Sequence, residues 1–314
     1  MTPRTTVGEA AFGNARPRLL GLAYRMLGSL EDAEDVVQDA ALKWAGVDAR
    51  EVRDPNAFLM TMVSRLAVDR LRARKRERTH YAGPWLPEPL VGPEADALGI
   101  RIEAPDAGIE LADTLSLALL HVMETLSPRE RAAFLMHDVF EMGYGEIAVA
   151  LGREEAACRK LVSRARTAIR QSKPPVDPPA PSDQALVERF MRASVSGDME
   201  SLMGLMAPDI ELISDGGGKA RAAYRPLHGA DDVALVLTSI AGKIEPALTL
   251  QWTRLNGMIA TILKDGPQLH SATAYAIADG KVTAIYMIRN PDKLAVLARG
   301  DRIGLGDQRL GLTD

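Results

Sequence analysis

Two proline-rich stretches decide what this chain of 314 residues can fold into. The first runs from Thr79 to about Gly108 and carries Pro84, Pro87, Pro89, Pro93 and Pro105, with Gly83, Gly92, Gly99 and Gly108 between them. The second, Pro174–Pro181, holds five prolines in eight residues. Proline has no N–H to donate and forces its predecessor extended, so neither stretch continues a helix. Both read as semi-rigid linkers. The expected division is 1–78, a linker over 79–108, 109–173, a second linker over 174–181, a domain over 182–298 and a tail over 299–314.

Between these breaks the hydrophobic period changes. Ser29 precedes Leu30-Glu31-Asp32, the pattern of a helix N-cap with acids in the first turn. Ala33, Val36, Val37, Ala40, Ala41 and Trp44 then recur on one helical face. Asp54-Pro55 opens a second long helix, with Leu59, Met62, Val63 and Leu66 as its expected buried stripe. Further on, Ser127-Pro128-Arg129-Glu130 is a capping box with proline at the first helical position. Glu146 to Gly152, followed by a basic helix, has the form of a helix-turn-helix. Ala148 is small enough for a close helix crossing, and Gly152 can take the turn conformation that other residues resist. Ile147, Leu151, Cys158 and Leu161 are expected inside. From Ser182 onward come two short helices, about Asp183–Val195 and Met199–Met206, and then strands. Asp279-Gly280 between Thr273–Ile277 and Lys281–Ile288 predicts a hairpin. Leu248–Leu255 and Met258–Leu263 predict two more strands. The fold class is multidomain: two all-α segments, the second a helix-turn-helix, then an α+β domain.

Charge is segregated along this framework. The net charge is −4, yet Arg65–Arg78 and Arg153–Lys173 each hold seven Lys/Arg against two Asp/Glu. One such run alone could be a solvated helix face. Two in an acidic chain point to a polyanion, most often nucleic-acid phosphate. Glu155, Arg159, Lys160 and Ser163 would face a major groove, and Arg164, Arg166 and Arg170 would follow phosphates. Earlier, Glu31–Asp39 contains five acids and no base. Acids in the first turn answer the helix dipole, but Asp35 and Asp39 lie beyond its reach. A ridge of Asp32, Asp35, Gln38 and Asp39 suits a basic protein partner better than DNA.

The remaining composition narrows the class. A single cysteine excludes an internal disulfide, and aromatics at 4% leave little for a stacking platform. There is no apolar run of about 18 residues, and Met1–Ala15 carries no signal pattern. A cytoplasmic soluble protein with no membrane contact is expected. The five histidines show no metal-ligand spacing, and neither a metal nor a cofactor is expected.

Leu19 to Ala40, Asp54-Pro-Asn-Ala-Phe-Leu59 and Leu66-Ala-Val-Asp-Arg-Leu-Arg72 resemble region 2 of extracytoplasmic-function sigma factors. Leu126-Ser-Pro-Arg-Glu-Arg131, Gly145 to Gly152 and Leu161 to Arg166 resemble region 4 of the same family. The resemblance makes 1–78 the region 2 domain and 109–173 the region 4 helix-turn-helix domain. It implies that Asp32, Asp35, Gln38 and Asp39 dock on core RNA polymerase. It implies that the basic half of the region 2 helix (Arg65, Arg70, Arg72, Arg74, Lys75 and Arg76) reads and melts the −10 element. Many family members carry asparagine where this chain has Arg65. Glu155, Arg159, Lys160, Ser163, Arg164 and Arg166 would read double-stranded −35 DNA.

The third segment resembles a SnoaL-like domain, a cone-shaped α+β fold with a central pocket, which one subgroup of these factors carries. Three motifs of that subgroup stand here as Trp85-Leu86-Pro87-Glu88-Pro89, Asp215-Gly216-Gly217-Gly218-Lys219 and Asn290-Pro291-Asp292-Lys293-Leu294. The resemblance implies that this domain packs near the first linker and regulates polymerase or promoter engagement in cis. Two rivals remain. A one-component regulator would use the third domain as a small-molecule sensor, but leaves the acidic ridge unexplained. A SnoaL-like isomerase or cyclase would need an acid/base pair among Asp215, Tyr224, His228 and His270, which have no spacing that demands catalysis. No catalytic residue is therefore assigned, and a small-molecule ligand in the third domain is kept as a candidate partner.

Overall fold

The computed structural model describes residues 3–91, 116–172, 174, 176–243, 248–299 and 307–309. The end of the first linker (92–108), the expected start of the second domain at Ile109, Lys173, Pro175 and nearly all of the tail lie outside the described residues. The helices are α1 (Pro3–Leu27), α2 (Leu30–Ala45), α3 (Pro55–Glu77), α4 (Leu117–Met123), α5 (Pro128–Phe134), α6 (Tyr144–Leu151), α7 (Glu155–Ser172), α8 (Ser182–Ser196), α9 (Met199–Gly204), α10 (Ala230–Ala241) and α11 (Pro291–Arg299). The strands are β1 (Met206–Asp215), β2 (Leu227–His228), β3 (Thr249–Leu255), β4 (Met258–Asp265), β5 (Gln268–Ala278), β6 (Lys281–Ile288) and β7 (Asp307–Arg309).

These form two compact units whose limits differ from the linker positions. Residues 3–80 and 122–172 make the first unit; residues 81–91, 116–121 and 174–309 belong to the second. The two basic helical segments thus share one unit, and the front of the first proline stretch belongs to the α+β unit.

In the first unit the helix starts follow the sequence. Ser29 Oγ accepts from Asp32 N at 3.4 Å, and Asp54 Oδ1 accepts from Ala57 N at 3.1 Å. Ser127 and Glu130 close a reciprocal capping box at 3.3 and 3.0 Å. Helix α3 packs on α1 and α2 and also on α5 and α6, so its buried arc is wider than one stripe. Leu59, Met60, Val63, Ala67, Val68 and Leu71 are buried; Met62 and Leu66, expected inside, are only half-buried. In α7 the buried stripe is Cys158, Val162, Ala165 and Ile169, while Leu161 is half-buried. Past α5 the chain makes a π-helical turn, Leu135–Val139, and Phe140 then sits beside the guanidinium groups of Arg18 and Arg25 at 5.8 and 5.6 Å. Burial pushes the Arg25 pKa down to about 10.

An ion triad ties the two segments together. The Glu124 carboxylate receives the guanidinium groups of both Arg78 and the fully buried Arg131. Arg131 Nε also donates to Arg25 O at 3.0 Å. Burial would raise the Glu124 pKa, but the charges and hydrogen bonds of Arg131 and Arg78 outweigh it and hold the carboxyl below its ordinary value. A depressed acid stabilises fully above its ordinary pKa and loses that contribution as pH falls through the folded value. Glu124→Gln should therefore lower stability near neutral pH by about 3–5 kcal/mol, because it removes the negative charge shared by two cations, one of them deep in the core. Denaturant titration at several pH values checks this: the variant's acid-side decline should be shallower than the parent's. Equal midpoints at neutral pH would discard the triad as a structural anchor.

The second unit is built on a seven-stranded sheet in the order β2-β1-β6-β5-β4-β3-β7. Among the described residues only β1 and β6 pair in parallel; the other neighbours are antiparallel. Asp279 and Gly280 turn between β5 and β6 with φ of 51° and 66°, the double left-handed conformation of a tight hairpin. Helices α8, α9 and α10 cover one face, where Phe190, Leu202, Val233, Trp252, Tyr275 and Ile285 are buried together. The other face carries Ala272, Ala274, Ala276, Tyr286 and Ile288. It is covered by Leu294 and Leu297 of α11, Leu117 and Ala118 of α4, and Leu86 and Val91 of the proline stretch. The second proline stretch also engages the sheet: Asp177 N donates to Ile277 O, and Asp279 N donates to Asp177 Oδ2, each at 2.7 Å.

Candidate nucleic-acid interface and linker dock

Helix α6 ends in Gly152 at φ 60° and ψ 48°, and α7 begins three residues later at Glu155. That left-handed residue re-aims the chain so that α7 crosses α6 with its apolar stripe inward. Glu155, Arg159, Lys160, Ser163, Arg164, Arg166 and Arg170 all lie on exposed positions. Arg159 pairs with Glu155 at 2.9 Å and stands over the Tyr144 ring at 5.0 Å. Arg166 makes a two-pronged bond to Asp138, at 2.7 and 2.5 Å. Arg166 is thus tied to its own fold where the sequence placed it on phosphate.

Basic helix α3 is engaged within the first unit. Arg65 Nε donates to Ala150 O at 3.0 Å, and its Nη2 donates to Val149 O. These are C-terminal carbonyls of α6, which lack helical partners and attract cations. Lys75 Nζ donates to Leu126 O at 2.9 Å. Arg70 and Arg74 both grip the Asp32 carboxylate, Arg70 at 2.6 Å. Arg72 pairs with Asp69 one turn away at 2.8 Å, and Arg76 is exposed.

The acidic ridge is correspondingly altered. Asp32 is buried beneath Arg70 and Arg74, while Asp35, Gln38 and Asp39 are exposed. Asp32 was expected on the outer ridge, but it lies four residues before Val36, eight before Ala40 and twelve before Trp44, so it shares their inward face. Glu34 is also exposed beside the ridge, and Leu42 continues it at 69% exposure. An exposed leucine three and four residues past Asp39 and Gln38 was the available signal for that apolar end.

In the second unit the three sequence motifs meet. Asp215, at the end of β1, is fully buried, and its carboxylate accepts from Tyr81 Oη at 2.6 Å, Leu86 N at 2.9 Å, Gly217 N at 3.0 Å and Lys293 Nζ at 2.5 Å. Lys293 Nζ also donates to Leu86 O and stands over the Trp85 ring at 4.1 Å. Asn290 Nδ2 donates to Tyr81 Oη at 2.9 Å. A side chain at Gly217 would collide with the Asn290 amide, and one at Gly216 with the Ala220 carbonyl. Further along, Leu90 and Asn256 exchange two hydrogen bonds of 2.9 Å. Pro87 and Pro89 are buried. The segment Tyr81–Leu90, expected as a spacer between domains, is an extended strip seated on the sheet. Its prolines limit the freedom lost on docking.

The acid/base candidates have different surroundings. Asp215 belongs to this dock, Tyr224 is exposed, exposed His228 lies 3.2 Å from Glu211, and His270 is half-buried on β5. Tyr275, on the helix-covered face, bonds Thr261 at 3.1 Å, and burial pushes its pKa to about 12.

Residues 12–77 match Sigma-70 region 2, and residues 116–169 match Sigma-70, region 4, which sets the class as that of a sigma factor. The chain is 36% identical over 292 residues to the ECF RNA polymerase sigma factor SigJ of Mycobacterium tuberculosis (strain ATCC 25618 / H37Rv), covering 90% of this chain and 91% of that protein. It belongs to the extracytoplasmic-function RNA polymerase sigma factors, and its function is to bind RNA polymerase and initiate transcription. The crystal structure of the M. tuberculosis extracytoplasmic function sigma factor SigJ matches with a TM-score of 0.69 at 34% identity, covering 91% of this chain and 98% of that one. The probable ECF RNA polymerase sigma factor SigI of M. tuberculosis is 29% identical over 288 residues, 91% of this chain and 94% of that protein. Among the described residues no helix is long and apolar enough to cross a membrane.

Proposed function

We propose that this sigma factor docks core polymerase through Asp35, Gln38, Asp39 and Leu42 of α2, reads the −35 element through α7, and is controlled in cis by its α+β unit. The observation that carries the control is the Asp215 carboxylate, which binds the linker residues Tyr81 and Leu86 and the Lys293 ammonium together. Reading of the −10 element falls to α3. There Arg65 must leave the α6 carbonyls and Lys75 the Leu126 carbonyl before either meets DNA, while Arg70 and Arg74 serve mainly to hold Asp32. Arg166 would likewise exchange Asp138 for phosphate. The site of action is the cytoplasm, where the polymerase works. The Asp215 carboxylate, engaged by Tyr81, Leu86, Gly217 and Lys293, supports a non-enzymatic reading. Phe190 and Tyr275 meet edge to face at 6.2 Å within a packed apolar cluster, which favours a structural α+β unit over a small-molecule sensor.

Run-off transcription with purified core polymerase tests the assignment. Arg159→Ala or Lys160→Ala should weaken −35 binding by about 1–3 kcal/mol and relax preference at the contacted base. Arg170→Ala should weaken all sequences alike and flatten the salt slope by about one unit. Sequence-blind losses of equal size in all three would remove α7 as the recognition helix.

A further inference from the structure

The loop between β1 and β2, residues 216–226, carries Lys219, Arg221 and Arg225 and no acid. It is held rigidly. Ala223 N donates to Ser214 Oγ at 2.8 Å, Arg289 Nη1 donates to Arg221 O at 2.7 Å, and Ala220 N returns to Gly216 O at 2.9 Å. The docked strip braces it from below: a side chain at Gly83 would lie 3.5 Å from Ala223 O and 3.7 Å from Tyr224 Cα. This fixed loop presents Tyr224 at 81% exposure, with Arg221 and Arg225 also exposed. Arg289 is half-buried beside Arg221, and its pKa is lowered by burial and then by that like charge. The neighbouring acid Asp292 is occupied by Lys219 at 2.5 Å. Gly83 stands six positions beyond Glu77, where basic α3 ends.

A water-exposed aromatic ring among guanidinium groups that pair with no acid among the described residues fits one ligand chemistry. Phosphates answer the arginines, and a base face answers the ring, with stacking worth about 1–3 kcal/mol per base. Duplex DNA keeps its base faces covered, so the ring selects a single strand. We propose that this loop binds single-stranded DNA, one base stacking on Tyr224 while Arg221 and Arg225 hold the flanking phosphates. In a sigma factor that strand is the melted promoter; this last step rests on the function proposed above, whereas the binding itself does not.

Fluorescence anisotropy of the full chain with a short labelled single strand, and separately with the matching duplex, reads the effect. Tyr224→Ala should weaken single-strand binding about tenfold and leave duplex binding unchanged. Tyr224→Phe should bind like the parent, because stacking needs the ring and not the hydroxyl. Arg221→Ala with Arg225→Ala should reduce the salt slope by roughly 0.7 per arginine. The proposal is overturned if Tyr224→Ala binds the strand normally, if Phe and Ala weaken it equally, or if duplex binding falls in step. Affinity for core polymerase is measured alongside. A Tyr224→Ala loss confined to polymerase would make the loop a protein contact and also overturn the proposal. A parent chain that fails to bind polymerase would sink the proposed polymerase docking while leaving the single-strand result standing.

Discussion

Asp215→Asn should loosen the linker dock by about 3–5 kcal/mol and change promoter output several-fold. The buried ion pair itself adds little net stability, because both charges lose water. Removing one partner is different: Lys293 is buried, and asparagine takes the full charge of Asp215 away from its ammonium. The Tyr81 hydroxyl and the Leu86 amide lose a charged acceptor at the same time. The double variant Asp215→Leu with Lys293→Met should recover part of the loss, since it strands no charge. Trp85→Ala should act in the same sense and more weakly, removing the ring over which Lys293 stands. Hydrogen exchange at Leu86 and Leu90, whose amides bond to Asp215 and Asn256, reports the undocking directly. Unchanged exchange together with unchanged transcription in Asp215→Asn would end the case for cis control through this dock.

That dock shows where sequence reasoning reaches and where it stops. Caps and turns were legible because each is a local solution to a local problem. Ser29, Asp54 and Ser127 answer orphan helix donors, Gly152 takes a conformation closed to other residues, and Asp279-Gly280 makes the hairpin turn. The three motifs could be named, but their meeting could not be read from spacing. The strip over Tyr81–Val91 is extended and pinned by prolines, so it shows neither helical nor strand period, and burial leaves no trace in its pattern. Arg131 was hidden for a different reason: arginine is seldom buried, and the Glu124 carboxylate and the Arg25 carbonyl make it tolerable. Asp32 is legible in part: its register with Val36, Ala40 and Trp44 puts it on the inward face, whereas the partners that neutralise it, Arg70 and Arg74, come from a different helix and leave no trace in the local pattern.

Reversing Asp35 and Asp39 to lysine should abolish core-polymerase binding while leaving the fold intact. Both side chains are exposed and stand one turn apart, so two lysines repel each other about as much as two aspartates do. The local helix therefore gains or loses only tenths of a kcal/mol. At a docking surface the change is far larger. Each reversal replaces an attraction by a repulsion, and truncating a single interfacial charge partner commonly costs about 2–5 kcal/mol. Two reversals on one ridge should thus lower affinity by more than a thousandfold. Asp32→Asn must behave in the opposite way: it leaves the ridge surface in place, removes the buried charge that Arg70 and Arg74 grip, and lowers the unfolding midpoint. Leu42→Ser should fall between them, weakening polymerase binding without affecting stability, because this leucine is largely exposed in the free chain. Competition binding to core polymerase, paired with thermal melts of each variant, separates the three outcomes. Normal polymerase affinity in the Asp35/Asp39 double reversal would refute α2 as the docking surface, and an Asp32→Asn protein that melts normally would refute the structural role assigned to that carboxylate.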